Sequence, residues 1–176
     1  MATRTRISTI HGGSRDDDKV RAINWSITNY PVIHTNVTSV GNVGAGEDTL
    51  MTYTVQQDAM AFPGDFIEVH AWGTFGATAN NKTVKMYFGS TVVMNSGAQA
   101  QNGGSWSIRA KIMATSSTAQ TAIAELITNS ALFTDDSSHT TPAETISGTI
   151  VIKCTGTGTA DNDIVQKGVV ISRYMS

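Results

Sequence analysis

The sequence predicts an all-β fold, a sandwich or barrel of about eight strands, with an extended N-terminal arm in front of it. Three observations carry that prediction. Apolar and polar residues alternate with a period of two through most of the chain, as in half-buried strands. Turn signals such as Phe62-Pro63-Gly64-Asp65 and Asn102-Gly103-Gly104 recur at short, even spacing, and no segment reads clearly as a helix. Charged residues make up only 15% of the 176 residues, against about 25% in an average domain. Thr, Ser, Asn and Gly fill their place, which suits strands and tight turns.

Residues 1–30 stand apart as an arm, and 31–176 as one β-domain. The arm holds five of the twelve basic residues, Arg4, Arg6, Arg15, Lys19 and Arg21, around the acidic run Asp16-Asp17-Asp18. Its apolar residues are too sparse to form a core of their own. Trp25, Ile27, Tyr30 and the following Ile33 are anchors that a purely solvated tail would not need. Arg4, Arg6, Arg15, Arg21, Trp25 and Tyr30 are therefore the expected partner-binding residues, in an arm that becomes ordered on a neighbouring subunit.

The β-domain opens with a strand-like stretch over 32–43, ending in a glycine-rich break. A strand over 49–56 follows, with Leu50 opposed in parity to Met51, Tyr53 and Val55. Over 66–75, Ile67, Val69, Ala71 and Phe75 share one face, and Glu68, His70 and Trp72 the other. Residues 71–89 read as a β-hairpin, turning at 76–81 and returning with Val84, Met86 and Phe88 inward. A short piece at 91–94 is next. Over 105–113, Trp106, Ile108, Ala110 and Ile112 alternate with Ser107, Arg109 and Lys111, which makes Trp106 a core residue. Residues 119–127 suit either a helix or a strand. A loop over 130–142 leads to a strand over 146–154, a turn over 155–162, and a last strand over 164–173. There Val165, Val169 and Ile171 are expected on one face.

Chemistry is hard to find. The four histidines, His11, His34, His70 and His139, are isolated and lack metal-ligand spacing. His70 shares a face with Glu68, which reads as a surface or interface pair rather than a catalytic dyad. Asp161-Asn162-Asp163 resembles part of a calcium loop but lacks its glycine and distal glutamate, so it reads as a turn. The glycines at 41–46 precede a strand rather than a helix, which removes the case for a phosphate cradle. Trp72 is the candidate glycan-stacking residue. The expectation is no enzyme activity, no cofactor and no metal.

The single Cys154 excludes a disulfide within the chain, and its place in an alternating apolar run marks it as a buried thiol. A net charge of −2 gives no electrostatic case for nucleic-acid or anionic-membrane binding. No apolar run approaches about 18 residues, and the first residues lack a signal-peptide core.

Four blocks carry a resemblance: GNVGAGEDTLM (41–51), AWGTFGATANNKTVKMYFG (71–89), GGSW (103–106) and TPAETISGTIVIKCTGTGTADNDIVQKGVVI (141–171). Together they span about residues 41–172, and they resemble a bacteriophage virion domain of jelly-roll type, found in capsid-surface and tail-associated proteins. The resemblance implies a β-sandwich of jelly-roll type and a structural, non-enzymatic, trimeric component of the virion, made in the host cytoplasm. A compact domain with a short arm and no stalk repeat points to a capsid decoration or cement protein that contacts the major capsid protein. The alternatives are a small tail, neck or receptor-binding appendage, or a carbohydrate-binding module.

Overall fold

Burial follows the alternation of the sequence closely wherever a strand lies between two others. The structure, a computed structural model, describes residues 31–129 and 136–176. Among them are twelve strands and no helix: β1 (Val32–Asn36), β2 (Val40–Gly41), β3 (Gly46–Val55), β4 (Phe66–Phe75), β5 (Asn81–Phe88), β6 (Thr91–Asn95), β7 (Gln99–Ala100), β8 (Ser105–Ser116), β9 (Ala119–Thr128), β10 (Asp136–Thr140), β11 (Ile150–Gly158) and β12 (Ile164–Tyr174). In β4 every second residue from Ile67 to Phe75 is buried, and β8 buries Trp106, Ile108, Ala110, Ile112 and Ala114 in the same way.

The strands form two antiparallel sheets. The seven-stranded sheet runs β1-β12-β4-β8-β9-β10 with β2 beside β12, and the five-stranded sheet runs β3-β11-β5-β6 with β7 beside β5. The pairings β1 with β12, β3 with β11, β4 with β8 and β5 with β6 nest the early strands against the late ones. They describe one long antiparallel strip, and rolling it up adds the pairs β12 with β4 and β11 with β5. That wiring is the jelly roll, with β9 and β10 extending the larger sheet. The inner faces of the two sheets enclose the core, and Ile67, Ala71, Val84, Met86, Phe88, Ile108 and Ile164 are fully buried.

Several local expectations give way to this topology. Residues 71–89 are not a hairpin: β4 and β5 lie in opposite sheets, and residues 76–80 arch between them. Each strand already has two neighbours, so both edges of each are taken. The stretch 32–43 breaks into β1 and β2, and both pair with β12. Residues 119–127 are strand, with Ala122, Ala124 and Leu126 inward and Ile123 and Ile127 outward. The expected loop over 130–142 contains β10, a polar edge strand paired only to β9. Such an edge needs little apolar signal, and polar side chains discourage further pairing. Strand β11 begins at Ile150, four residues later than expected, with Ile146 buried in the preceding loop. It then runs through the Thr-Gly repeat to Gly158, because inward Gly156 and Gly158 leave room for Ile164, Leu50, Asn42 and Asp163.

Two bulges explain the parity changes. In β3, Thr49 and Thr52 oppose Thr155 and Lys153, so Leu50 and Met51 together face one residue of β11 and both are buried. In β12, the shift between Gln166 and Gly168 leaves Lys167 as the extra residue. Gln166 therefore points inward, and Val165 shares the outward side with Thr74 instead of the face of Val169 and Ile171. The buried Gln166 Oε1 accepts a hydrogen bond from the Met51 amide, which links the two bulges across the core.

The inward row of β5 ends on Lys82, which is fully buried. Its ammonium donates to the carbonyls of Thr78, Asn80 and Gln101 and to Thr78 Oγ1, and lies 3.7 Å from Asp163 Oδ1. Asp163 in turn accepts from Thr78 Oγ1, Asn80 Nδ2 and the amides of Thr159 and Ala160. Burial alone would raise its pKa, but these donors outweigh it and hold the carboxyl well below the usual carboxylate range. Beside it the buried Asn42 donates to the carbonyls of Gly44 and Ala160 and accepts from the Ile164 amide. The arch between β4 and β5 and the turns before β3 and β12 are pinned at this one end of the sandwich.

Two outcomes follow from this packing. Trp106→Ala should lower stability by about 3–5 kcal/mol in urea denaturation, the range for a buried large aromatic. A loss below roughly 1 kcal/mol would contradict its core placement. Lys82→Met should cost about 3–5 kcal/mol because it leaves the Asp163 charge buried without its partner. The double variant Lys82→Met/Asp163→Leu should lose clearly less than the sum of the two single losses, and strict additivity would show that the pair does not act as a unit.

Candidate functional site

The outer face of the seven-stranded sheet gathers the chain's polar and aromatic side chains into registered rows. Strand pairing sets Ser137, Glu125, Arg109, His70 and Val170 side by side across five strands. The next row holds His139, Ile123, Lys111, Glu68 and Ser172. On the other side lie Ile127, Ser107, Trp72 and Gly168. Between the first two rows is an open depression of about 470 Å³, lined by Glu68, His70, Arg109, Lys111, Ile123 and Glu125 among others.

Trp72 and Gly168 are directly opposed, and a Cβ on residue 168 would lie 2.3 Å from the indole Cζ2. Only glycine lets the ring cover β12 there. The neighbouring pair on the inner face repeats the device, since a Cβ on Gly73 would lie 2.6 Å from the ring of Trp106. Trp72 is thus a half-buried ring on a rigid strand, with the His70 ring at 5.1 Å beside it.

Among the described residues one ion pair is closed on this face, and Arg109 stands opposite Glu125 in the ladder. Glu68 Oε1 lies 3.0 Å from Lys111 Nζ, which also sits 4.9 Å over the ring of Phe66. Phe66 stacks on Tyr174 at 4.5 Å. The expected neighbours Glu68 and His70 do share the face, but Glu68 is engaged by Lys111, and His70 Nε2 instead meets Ser107 Oγ at 2.9 Å. Burial and then the Arg109 charge lower the pKa of His70 from its ordinary 6.5. A serine beside a histidine is one part of an acyl-transfer site, but that chemistry also needs a carboxylate to orient the ring and donors for an oxyanion. Here the charged neighbour on the same row is Arg109, which opposes formation of an imidazolium.

The smaller sheet carries a second polar cluster on its outer face. Glu47 accepts from Lys85 Nζ at 2.7 Å, Tyr87 Oη at 2.6 Å and Thr155 Oγ1 at 2.7 Å. Partial burial would raise its carboxyl, yet these hydrogen bonds prevail and hold its pKa at about 2. The cluster braces β3, β5 and β11 against one another and leaves no carboxylate oxygen unused.

The remaining sequence candidates are placed as follows. Arg4, Arg6, Arg15, Arg21, Trp25 and Tyr30 lie outside the described residues. Asp161 and Asp163 lie in the turn before β12, where Asp161 Oδ1 accepts from the Gly44 amide and Asp163 is enclosed by donors from Thr78, Asn80, Thr159 and Ala160. Among the described residues no three His, Cys, Asp or Glu side chains are grouped to hold a metal ion. Cys154 is in the core, and burial pushes its thiol up to about 12. Arg109, Lys111, Ser107 and Glu125 were not singled out as site residues in the sequence. The outward parity of Ser107, Arg109 and Lys111 was legible, but that of Glu125, in a stretch that suited helix or strand, was not, nor was the pairing of β8 with β4 and β9 that brings them beside His70.

No protein-family model matches this chain, and no curated protein does. Among solved structures it is similar to one described as the CBM2 module of Lactobacillus casei BL23 phage J-1 evolved Dit. Identity is 8%, the match covers 83% of this chain and 97% of that one, and the TM-score is 0.33, too loose a likeness to bear on function.

The His70 environment has a measurable consequence. A folded pKa below 6.5 means that the native state binds fewer protons than the unfolded chain as pH falls through that value. The group's contribution to stability is therefore present above the unfolded pKa and is lost as pH drops toward the folded one. NMR titration should place His70 below its ordinary pKa, and Arg109→Ala should raise the value part of the way back. An unchanged pKa in the variant would remove Arg109 from the site's electrostatics.

Proposed function

We propose that this chain is a non-enzymatic structural protein of a bacteriophage virion, and specifically a capsid decoration or cement protein. The observation that carries this reading is the jelly-roll wiring of a chain whose four sequence blocks resemble the phage virion domain. Supporting it, the polar groups at one end of the sandwich and on the outer face of the smaller sheet are engaged with one another. Glu47, Asp163 and Asn42 stabilise the shell of the domain rather than wait for a substrate. In this reading residues 1–30 hold the domain on the major capsid protein, and three copies of the β-domain associate on the surface of the shell.

A second reading, a small tail, neck or receptor-binding appendage, is favoured by one observation. Trp72 and the row of Arg109, His70 and Glu125 give the domain an outward face suited to contact with something other than its own core. Copy number separates the two. In purified particles a decoration protein should be present in hundreds of copies, and a tail component in a few dozen at most. Deleting residues 1–30 should leave thermal unfolding of the β-domain nearly unchanged while abolishing rebinding to particles that lack the protein. Rebinding by the full chain should weaken with added salt, because exposed basic contacts are screened. A truncated protein that still occupies particles fully would move the attachment surface onto the β-domain.

A further inference from the structure

We propose that the depression on the outer face of the seven-stranded sheet is a binding site for a neutral saccharide, with Trp72 one row beyond it, its ring 5.1 Å from that of the lining residue His70. A volume of about 470 Å³ is in the range of small-ligand sites, ~300–1,000 Å³, and its walls are side chains on paired strands rather than loops.

Charge then narrows the ligand. Glu68 and Glu125 carry two negative charges, and Arg109 and Lys111 two positive ones. Lys111 is held by Glu68, and Arg109 stands directly opposite Glu125 in the ladder. The four charges sum to zero, so the depression as a whole favours neither an anion nor a cation. What remains is a dense array of both kinds of hydrogen-bonding group: guanidinium and ammonium donors, carboxylate acceptors, and the hydroxyl of Ser172. Neighbouring hydroxyls of a sugar donate and accept at once, so they can bridge such ion pairs without breaking them.

The apolar groups fit the same ligand. Ile123 and Val170 are interspersed among the polar lining groups, and the Trp72 ring lies one row beyond them beside His70. A protein interface would instead be depleted of charge at its centre, and this face has two opposed charge pairs there. A sugar ring presents C–H groups on its face and hydroxyls at its edge, which matches an aromatic ring beside a polar trough. Gly168 holds that ring against the sheet, so the platform is already in place before a ligand arrives.

The test uses the full chain and a panel of neutral oligosaccharides derived from glucan, galactan and chitin, with sulfated and uronic-acid oligosaccharides alongside. Binding is measured by calorimetry and by shifts of the Trp72, His70 and Arg109 signals in NMR spectra. At least one neutral oligosaccharide should bind, with an affinity nearly insensitive to salt. Trp72→Ala and Arg109→Ala should each weaken it by about tenfold or more, as for loss of one good contact. Because Arg109 and Glu125 are exposed, Arg109→Ala and Glu125→Gln should unfold at nearly the parental temperature, which separates loss of the site from loss of the fold. The proposal is overturned if no neutral saccharide binds at millimolar concentration, if only anionic ones bind, or if binding ignores these substitutions. Self-association that covers this face would overturn it too. The outcome is independent of where the protein sits: absence from purified virions would refute the virion reading and leave this one intact, and the reverse also holds.

Discussion

The buried contact between Lys82 and Asp163 ties together the parts of this sandwich that no ladder joins. The two sheets meet through apolar side chains, which attract without direction and do not specify how one sheet crosses to the other. The crossing at residues 76–80 is specified by polar groups instead. Lys82 gathers the carbonyls of the arch and of Gln101, Asp163 gathers the amides of the turn before β12, and Thr78 Oγ1 joins them by accepting from one and donating to the other. Taking a lysine and an aspartate out of water is costly, so such a pair is tolerated only when nearly every donor and acceptor has a partner. Here they do. The same network shows why residues 71–89 are an arch: a hairpin would leave Lys82 on an inward row with nothing to receive its protons.

Close approach between backbone and ring is the second constraint. Trp72 and Gly73 are consecutive, so they face opposite sides of the larger sheet. Trp72 covers Gly168 on the outside, and Trp106 covers Gly73 on the inside. Glycine within a strand weakens it unless a neighbour supplies the missing packing, and a large aromatic directly across does so. One device therefore has two consequences. On the inner face it completes the core, and on the outer face it sets a half-buried indole in a fixed place. The structure and the candidate site depend on the same cross-strand pairs.

The outer faces differ in chemistry although both are polar. On the smaller sheet, Glu47 is saturated by Lys85, Tyr87 and Thr155, with Lys153 4.7 Å over the Tyr87 ring, so the cluster is closed. On the larger sheet the pairs are more open, with Arg109 and Glu125 exposed around a depression. Groups like the first add stability to the sandwich, whereas groups like the second stay open to solvent.

Local alternation in the sequence determined the fold class, the inward faces of β4, β5 and β8, the core positions of Trp106 and Cys154, and the turn at Phe62-Pro63-Gly64-Asp65. Each of those depends on a residue's immediate neighbours, because the side-chain period of a strand is two. The tertiary structure alone decided which strands are partners, and so all that depends on partners. It decided that β4 and β5 part company, that the Thr-Gly repeat of β11 remains strand, and that a bulge at Lys167 turns Val165 outward. It also decided that a polar stretch at 136–140 closes an edge, where burial contributes little and composition carries no signal. The site was half legible: His70 and Trp72 could be placed on an outward face, whereas Arg109, Glu125 and Ser107 joined them only through registers between strands distant in the chain. Lys82 was not legible as a buried charge, since a lysine beside a turn is ordinarily solvated, and its burial is made tolerable by the carbonyls of Thr78, Asn80 and Gln101 together with Asp163, some eighty residues away.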